Sequence, residues 1–600
     1  MRAKGTRARL AGLRDAMREH GVAAYIVPSS DPHQSEYVPA RWARREWMSG
    51  FTGSAGDLVV GLAGGGLWTD GRYHLQARQQ LRGSGLKLFP VGEKDVPTIE
   101  RHLAKTLPRE SAVGVDPAVI GMRRARRIAR ALASDGVALK PIEENLVDAV
   151  RGPVPGRRSR ARVVPLATQF AGETSASKLR RVRRAMRERG ADALVVTTLD
   201  AIAWLFNVRG SDVAYNPVVI AYAVVTADEA VLHVDRAKID AAAEAHLRRT
   251  ARIEPYAAIR RTLRGLGRRK AVVWIDPDST SLMCGRLLDG ARPVFAPSPI
   301  ARMKARKNDV ELAGIRAAHR RDGAAMVRFL HWLSRAVPAG GVTEMGAAAA
   351  LEGLRSEGEH FQGLSFPTIA GYAGHGAIIH YSVDEASDVP LRPEGLFLVD
   401  SGAHYLDGTT DITRTLLLGG RPTGPQRDCY TRVLKGHIAI ATARFPAGTT
   451  GARLDTLARA ALWQSGRDYA HGTGHGVGAY LNVHEGPQSI SHRSTEVPLE
   501  PGNVQSNEPG YYEPGEFGIR IENLVEVVKD ETVAPRDFLR FETLTLCPIE
   551  KRLIEPELLS ADERGWLDAY HARVLETLGP DLDRDDRTWL ERACVPLDAT

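Results

Sequence analysis

Cysteine is nearly absent from this chain: four residues in 600, Cys284, Cys429, Cys547 and Cys594, with no CxxC pair among them. That scarcity excludes a disulfide framework and a zinc ribbon and points to a reducing compartment. Long apolar runs are missing too, since no window reaches the roughly 18 apolar residues a membrane helix needs. The basic first segment, Met1 to Leu10, has no apolar stretch behind it as a secretory signal would. The triple glycine Gly64 to Gly66 lacks Lys-Ser/Thr at P-loop spacing and reads as a hairpin turn between strands. No GxSxG elbow supports a serine or thiol mechanism. An excess of one charge is lacking as well: 81 Lys and Arg stand against 72 Asp and Glu, a net +9. The densest basic runs, Arg157 to Arg162 and Arg260 to Lys270, read as a solvated linker after a Pro/Gly stretch and as a solvated helix face. Neither carries an aromatic platform or groove-reading motif, so nucleic acid is not expected as a partner.

What the chain does have is acidic. Asp400 closes the apolar run Leu396-Phe-Leu-Val-Asp400 and is followed by Ser401-Gly402, a buried strand opening into a turn. Beyond the turn signal Asp407-Gly408 the chain re-enters an extended, β-branched run, Asp411-Ile-Thr-Arg-Thr-Leu-Leu-Leu418. That spacing brings both carboxylates to one face of a two-stranded ribbon. Glu508 ends a strand before Pro509-Gly510. In Phe517-Gly-Ile-Arg-Ile-Glu522, period-two alternation puts Arg520 and Glu522 on one face. His475 stands in His471-Gly-Thr-Gly-His-Gly-Val-Gly478, where four glycines let backbone approach a ligand closely.

Four ionised carboxylates in one pocket would repel one another and raise their own pKa values, whereas two divalent cations cancel their charge. Asp400, Asp411, His475, Glu508 and Glu522 therefore read as ligands of two hard cations, Mn²⁺ given the oxygen-rich shell. A hydroxide bridging such ions is a hydrolytic nucleophile, with Arg520 as its electrostatic counterweight.

The strings VDSGAHYLDGTTDITRT, HGTGHGVGAYLNVHEGP and SNEPGYYEPGEFGIRIEN resemble those of Xaa-Pro aminopeptidases, in the pita-bread metallopeptidase clan. SSDPHQSEY, WTDGRYHLQA, LDAIAWLFNVRGSDVAYNP and LSFPTIAGYAGHGAIIHYS extend the likeness to the long, three-domain cytosolic type over nearly the whole chain. The resemblance implies that the five residues above are the metal ligands. It marks His380, His471 and His484 as substrate-holding histidines, with His380, His484 and Glu508 in catalytic roles and Glu508 shuttling a proton as well as coordinating. It implies peptides with proline in the second position as substrates, a homodimer and a cytoplasmic location. Physics makes the proline preference intelligible, because an Xaa-Pro bond has no N–H, and His484 with the aromatics near Tyr480 is placed to receive the ring. Two departures stand out: His375 occupies a position where a smaller polar residue is expected, and the stretch from His475 to Glu508 is one residue short, around Ser489 to Arg493.

The expected fold class is α/β with α+β character: two tandem α/β N-terminal domains, then a pita-bread catalytic domain with a curved antiparallel sheet. The helix and strand at Leu10 to Pro28 repeat in outline at Ser177 to Thr197. Expected divisions are 1–152 and 153–305, both creatinase-like, 306–545 catalytic, and 546–600 a C-terminal helical extension. Asn308, with Glu311 three residues on, caps the helix opening the third domain. Trp566, Tyr570, Val574 and Leu578, spaced by four, mark a docking helix without chemistry of its own. Two rivals remain: a prolidase acting on Xaa-Pro dipeptides, which shares the ligands but needs no such tandem domains, and a metal-free interaction module, which would have lost ligands.

Overall fold

A computed structural model of the protein describes residues 2–152, 159, 161–493, 496–533 and 536–597, so half of the Arg157 to Arg162 run lies outside the described residues. The contacts divide into two units, Met1–Pro165 with Thr174–Ile300, and Leu166–Glu173 with Ala301–Thr600. Among the described residues no helix is long and apolar enough to cross a membrane.

The first unit contains the expected repeat. Leu10, Leu13 and Met17 bury one stripe of the helix Arg2–Glu19, and Leu179, Val182 and Met186 bury the same stripe of Ser175–Glu188. Each helix leads into a fully buried four-residue strand, Ala24–Val27 and Ala193–Val196. Each strand lies inside a six-stranded mixed sheet of the same topology. In both, it pairs antiparallel with one neighbour (Asp57–Gly61, Ala221–Thr226) and parallel with the other (Ala112–Val115, Val272–Ile275). A hairpin joins Asp57–Gly61 and Gly65–Thr69 as expected, with Gly64 in its turn and Gly65 and Gly66 already in the second strand. The basic run at 260–270 lies on the helix Ile259–Arg268, which buries Leu263 and Leu266 and exposes Arg261, Arg264 and Arg268.

The longest helix of the second unit has 31 residues, Asp309–Ala339. Its first turn is closed by a reciprocal cap: the Asn308 side chain accepts from the Glu311 N–H at 3.0 Å, and the Glu311 carboxylate from the Asn308 N–H at 3.0 Å. Leu312, Ile315, Met326, Phe329, Leu330 and Leu333 are all buried, as their spacing predicts. The strands that follow are antiparallel: a three-stranded sheet of Ile369–Tyr372, Gly395–Ser401 and Ile412–Gly419, and a six-stranded sheet built around Val504–Asn507 and Asn523–Lys529. The ribbon of Gly510–Glu513 and Phe517–Arg520 stands beside them. The helices Gly424–Ala441 and Gly451–Trp463 cover the sheet. They approach so closely that a Cβ on Gly436 would lie 2.1 Å from the Ala458 carbonyl oxygen.

The helix Ala561–Leu578, the longer of two that end the described chain, buries Tyr570, Val574 and Leu578. Its role exceeds the packing expected of it. The Tyr570 hydroxyl meets Arg414 Nη2 at 3.1 Å, and that fully buried guanidinium also donates to the carbonyls of Glu522, Cys547 and Pro548 at 2.7, 2.8 and 2.9 Å. Tyr570→Phe should leave a buried donor short of a partner and lower unfolding free energy by about 1–3 kcal/mol in a urea titration. A change within experimental error would show the hydroxyl to be idle.

Candidate metal centre

Asp400 sits near the end of the strand Gly395–Ser401, directly opposite Thr413 of Ile412–Gly419, and Asp411 immediately precedes that second strand. The connection is more elaborate than the expected ribbon. Between the two aspartates, Ala403–Tyr405 and Gly408–Thr409 leave to form a separate three-stranded sheet with Phe361–Leu364. Gly402 permits the crossing, because a Cβ there would fall 2.0 Å from the Thr410 carbonyl oxygen. His475 lies in the strand Gly474–Gly476, and a Cβ on Gly474 would stand 1.9 Å from the Ser506 carbonyl oxygen. Ser506 Oγ accepts from the His475 N–H at 2.9 Å and donates to Glu508 Oε1 at 3.1 Å. The expected uninterrupted strand through Glu522 is corrected: it ends at Arg520, and Ile521 and Glu522 carry the chain into the strand Asn523–Lys529 of the other sheet. The Glu522 N–H donates to the Thr413 carbonyl at 3.1 Å across that junction.

The side chains converge accordingly. Ligand atoms of Asp411, His475 and Glu522 lie within 4.8 Å of one another. His475 Nε2 stands 3.5 Å from both Asp411 Oδ2 and Glu508 Oε1. Arg520 Nη2 meets Asp400 Oδ2 at 2.5 Å, while its Nε donates to Thr413 Oγ1 at 3.1 Å and that hydroxyl donates to Glu522 Oε2 at 2.7 Å. Asp400 and Glu522 thus share one backing. Thr413, Ser506 and Tyr512 were not singled out from sequence, although Thr413, two residues past Asp411, shares its face by strand alternation.

Electrostatics set the site's demand. Burial and the repulsion of Asp400 and Glu508 push Asp411 up to about 6, against the pull of His475. Burial, with Asp411, Glu508 and Asp400, holds Glu522 well above the usual carboxylate range. Burial opposes the charge on His475, but Asp411 and Glu508 outweigh it and lift the imidazole to about 9. Asp400 Oδ1 and Asp411 Oδ1 are buried and have no hydrogen-bond partner. Unpartnered hard oxygens, buried and crowded by like charge, fit divalent cations.

The histidines flank this cluster. The His484 ring packs edge-on against His475 with centroids 4.4 Å apart. His471 Nδ1 lies 2.7 Å from the Gly472 carbonyl oxygen, so its Nε2 accepts from the Tyr512 hydroxyl at 2.9 Å, which in turn accepts from Arg520 Nη1 at 2.6 Å. His380 is half-buried and follows Ile379, whose carbonyl lies 3.5 Å from Arg520 Nη1. His375 is committed elsewhere, to the buried Glu344 carboxylate at 2.9 Å, which raises its pKa.

Residues 313–529 match the model of metallopeptidase family M24 and 537–597 that of the C-terminal region of peptidase M24, while 9–152 and 154–311 match two models of the creatinase/prolidase N-terminal domain. A probable Xaa-Pro aminopeptidase P of Laccaria bicolor is 44% identical over 605 residues, covering 99% of this chain and 94% of that protein. That of Aspergillus fumigatus is 44% identical over 617 residues, covering 100% and 94%. A crystal structure of an X-prolyl aminopeptidase from Caenorhabditis elegans, described as a cytosolic enzyme with a di-nuclear active site, superposes with a TM-score of 0.95 at 37% identity, over 98% of this chain and 99% of that one.

A group whose folded pKa is raised contributes stability below its unfolded pKa and loses it as pH rises through the folded value. For the metal-free protein, the raised pKa of Asp411 places that loss between about pH 4 and 6. Divalent cations relieve the repulsion and bind the deprotonated ligands. The rise in Tm on adding Mn²⁺ should therefore be larger at pH 7.5 than at pH 5. Equal shifts at both pH values would separate ion binding from these carboxylates.

Proposed function

The chain belongs to the Xaa-Pro aminopeptidase P family, and on that premise we propose how its own residues carry out the reaction. The protein is a metal-dependent aminopeptidase that releases the N-terminal residue from peptides with proline in the second position, and its active site is dinuclear. The observation that carries the residue assignment is the buried convergence of Asp411, His475 and Glu522, with the unpartnered oxygens of Asp400 and Asp411 beside them. Asp400, Asp411, His475, Glu508 and Glu522 would hold the two ions, and we assign Mn²⁺ on the strength of a shell of carboxylates with one imidazole. Bound there, the ions supply Lewis acidity and a water acidic enough to act as nucleophile at neutral pH.

The remaining roles belong to the chain. Arg520 grips Asp400 and, through Thr413, orients Glu522. Burial opposes the Arg520 charge, yet Tyr512 and the carboxylates of Asp400, Glu508 and Glu522 hold its pKa well above the ordinary value. Glu508, fixed at one oxygen by Ser506, accepts the proton released during attack and delivers it toward the leaving nitrogen. That nitrogen is proline's and becomes a secondary amine, so it must be protonated as the bond breaks. His380 stabilises charge on the scissile carbonyl oxygen. His484 holds the substrate beside His475, and His471, steadied through Tyr512, binds further along the peptide. The substrate amide offers no N–H, so a site that makes no demand on that hydrogen accepts it.

The finer attributes are proposals of the same standing. A homodimer and a cytoplasmic setting rest on the resemblance, and the worm relative is described as cytosolic. Divisions near 152, 305 and 545 are supported by family matches whose edges fall at 152, 154, 311, 313, 529 and 537.

Glu522→Ala should abolish turnover and lower bound metal, with the circular dichroism spectrum retained. His484→Ala should cut kcat by about 10²-fold. Arg-Pro-Pro should lose its arginine much faster than Arg-Ala-Pro. Equal cleavage of the two would make this a general aminopeptidase, and full activity of the Glu522 variant in metal-free buffer would sink the ligand assignment.

A further inference from the structure

Three charged side chains that the reaction does not use are buried together next to His484. Lys304 Nζ donates to Glu485 Oε2 at 2.8 Å, and Lys307 Nζ donates to Glu485 Oε1. Their side chains are only 3, 1 and 1% exposed for Lys304, Lys307 and Glu485. Lys307 also reaches the Ala305 carbonyl at 3.4 Å, and burial pulls its pKa down while Glu485 and the nearby Glu311 pull it up. The segment carrying both lysines is itself tied down. The Lys307 N–H donates to the Gly502 carbonyl at 2.9 Å and Asn503 Nδ2 to the Ala305 carbonyl at 3.0 Å.

Such a group is not explained by stability. Burying charges costs several kcal/mol per ion, and well-packed apolar side chains of similar volume serve a core equally well or better. What distinguishes this place is its position. Glu485 follows His484 directly and pairs across the sheet with Gly476, the residue after His475. At that point the ladder breaks: His475 faces Ser489, and the next pair is Gly476 with Glu485, so Gly486, Pro487 and Gln488 bulge out. Backbone pairing alone therefore leaves the start of the strand Glu485–Ile490 weakly specified. Two ammonium groups gripping both oxygens of the Glu485 carboxylate supply the missing restraint, and His484 is the next residue along.

We propose that Glu485, clamped between Lys304 and Lys307, is the positioning residue for His484, fixing the imidazole at its edge-on station beside His475. This rests on the reading of His484 as a substrate-holding, catalytic histidine. The same clamp limits drift of the peptide at Gly476 and so keeps the loop from Gly476 to Glu485 closed at its base.

A double-mutant cycle on the metal-loaded enzyme tests it, with kcat and KM for Arg-Pro-Pro as the readout. Glu485→Gln keeps the shape but faces one ammonium with an amide NH₂, and it should lower kcat about tenfold or more while KM moves by less than about threefold. In a His484→Ala background the same substitution should cost less than about twofold in kcat, because its target is already gone. Two losses that multiply in full would overturn the inference, since a merely structural Glu485 acts independently of His484. A His484→Ala enzyme with unaltered turnover would instead remove the reading of His484 on which the inference depends. If Glu485→Gln does not fold, Lys307→Met replaces it in the cycle: it retains the Lys304 to Glu485 pair, and the same non-additivity is expected.

Discussion

Mutual repulsion among buried carboxylates is the constraint on which this catalytic unit depends. Asp400, Asp411 and Glu522 are 8, 4 and 1% exposed, and Glu508 lies within reach of the same imidazole. In a medium that screens poorly, these groups hold their charges only if cations answer them. Arg520 is the permanent cation the chain itself provides, and it meets the Asp400 carboxylate directly. The rest of the negative charge is left for metal ions, which is why the centre is a binding site by construction. The backbone bends to the same end. Glycines at 402 and 474 let strands cross within contact distance, and the break at Ile521 and Glu522 moves the chain from one sheet to another beside the acidic cluster.

Two consecutive residues show how the site connects to the fold behind it. Thr413 faces inward and passes hydrogen bonds between Arg520 and Glu522. Arg414, turned the opposite way by strand alternation, grips the carbonyls of Thr413, Glu522, Cys547 and Pro548 and the hydroxyl of Tyr570. The helix Ala561–Leu578 is thereby tied to the backbone of Glu522 without touching its side chain. A guanidinium is suited to this because its planar fork offers five donors at fixed angles.

Much of this was legible in the sequence, for reasons that differ by residue. The strand end at Asp400 announces itself through an apolar run that stops before Ser-Gly, that at Glu508 through Pro509-Gly510, and the Asn308 to Glu311 cap is a local signature with a local cause. The repeated α/β topology follows from one helix stripe and one buried strand recurring in order. What escaped was set by contacts distant in sequence. Nothing near Tyr570 signals that its hydroxyl meets Arg414, 156 residues away. The path between Asp400 and Asp411 reads as a simple hairpin because the third strand it recruits, Phe361–Leu364, lies far upstream. Alternation through Phe517 to Glu522 predicts one continuous strand, and only the second sheet explains why it ends at Arg520.

The division of labour between strands and loops explains where the remaining buried charge is kept. The side chains of the acidic cluster stand in or beside strands, where ladder hydrogen bonds fix direction. The three histidines stand on turns and bends, where the ladder gives little, and a buried charged group is bonded to residues near each of them. Glu344 accepts from the Tyr372 N–H at 2.7 Å and from the Tyr381 hydroxyl at 2.9 Å, on either side of His380. Arg459, paired with Asp455 at 2.7 Å, donates to the His471 carbonyl at 2.7 Å. Glu485, between two lysines, adjoins His484. Charge sealed from water costs the fold free energy, but it allows only a narrow set of geometries, because a displaced partner leaves an uncompensated ion. An apolar brace would pack as well and slide more easily, so a charged one fixes the neighbouring turn more narrowly.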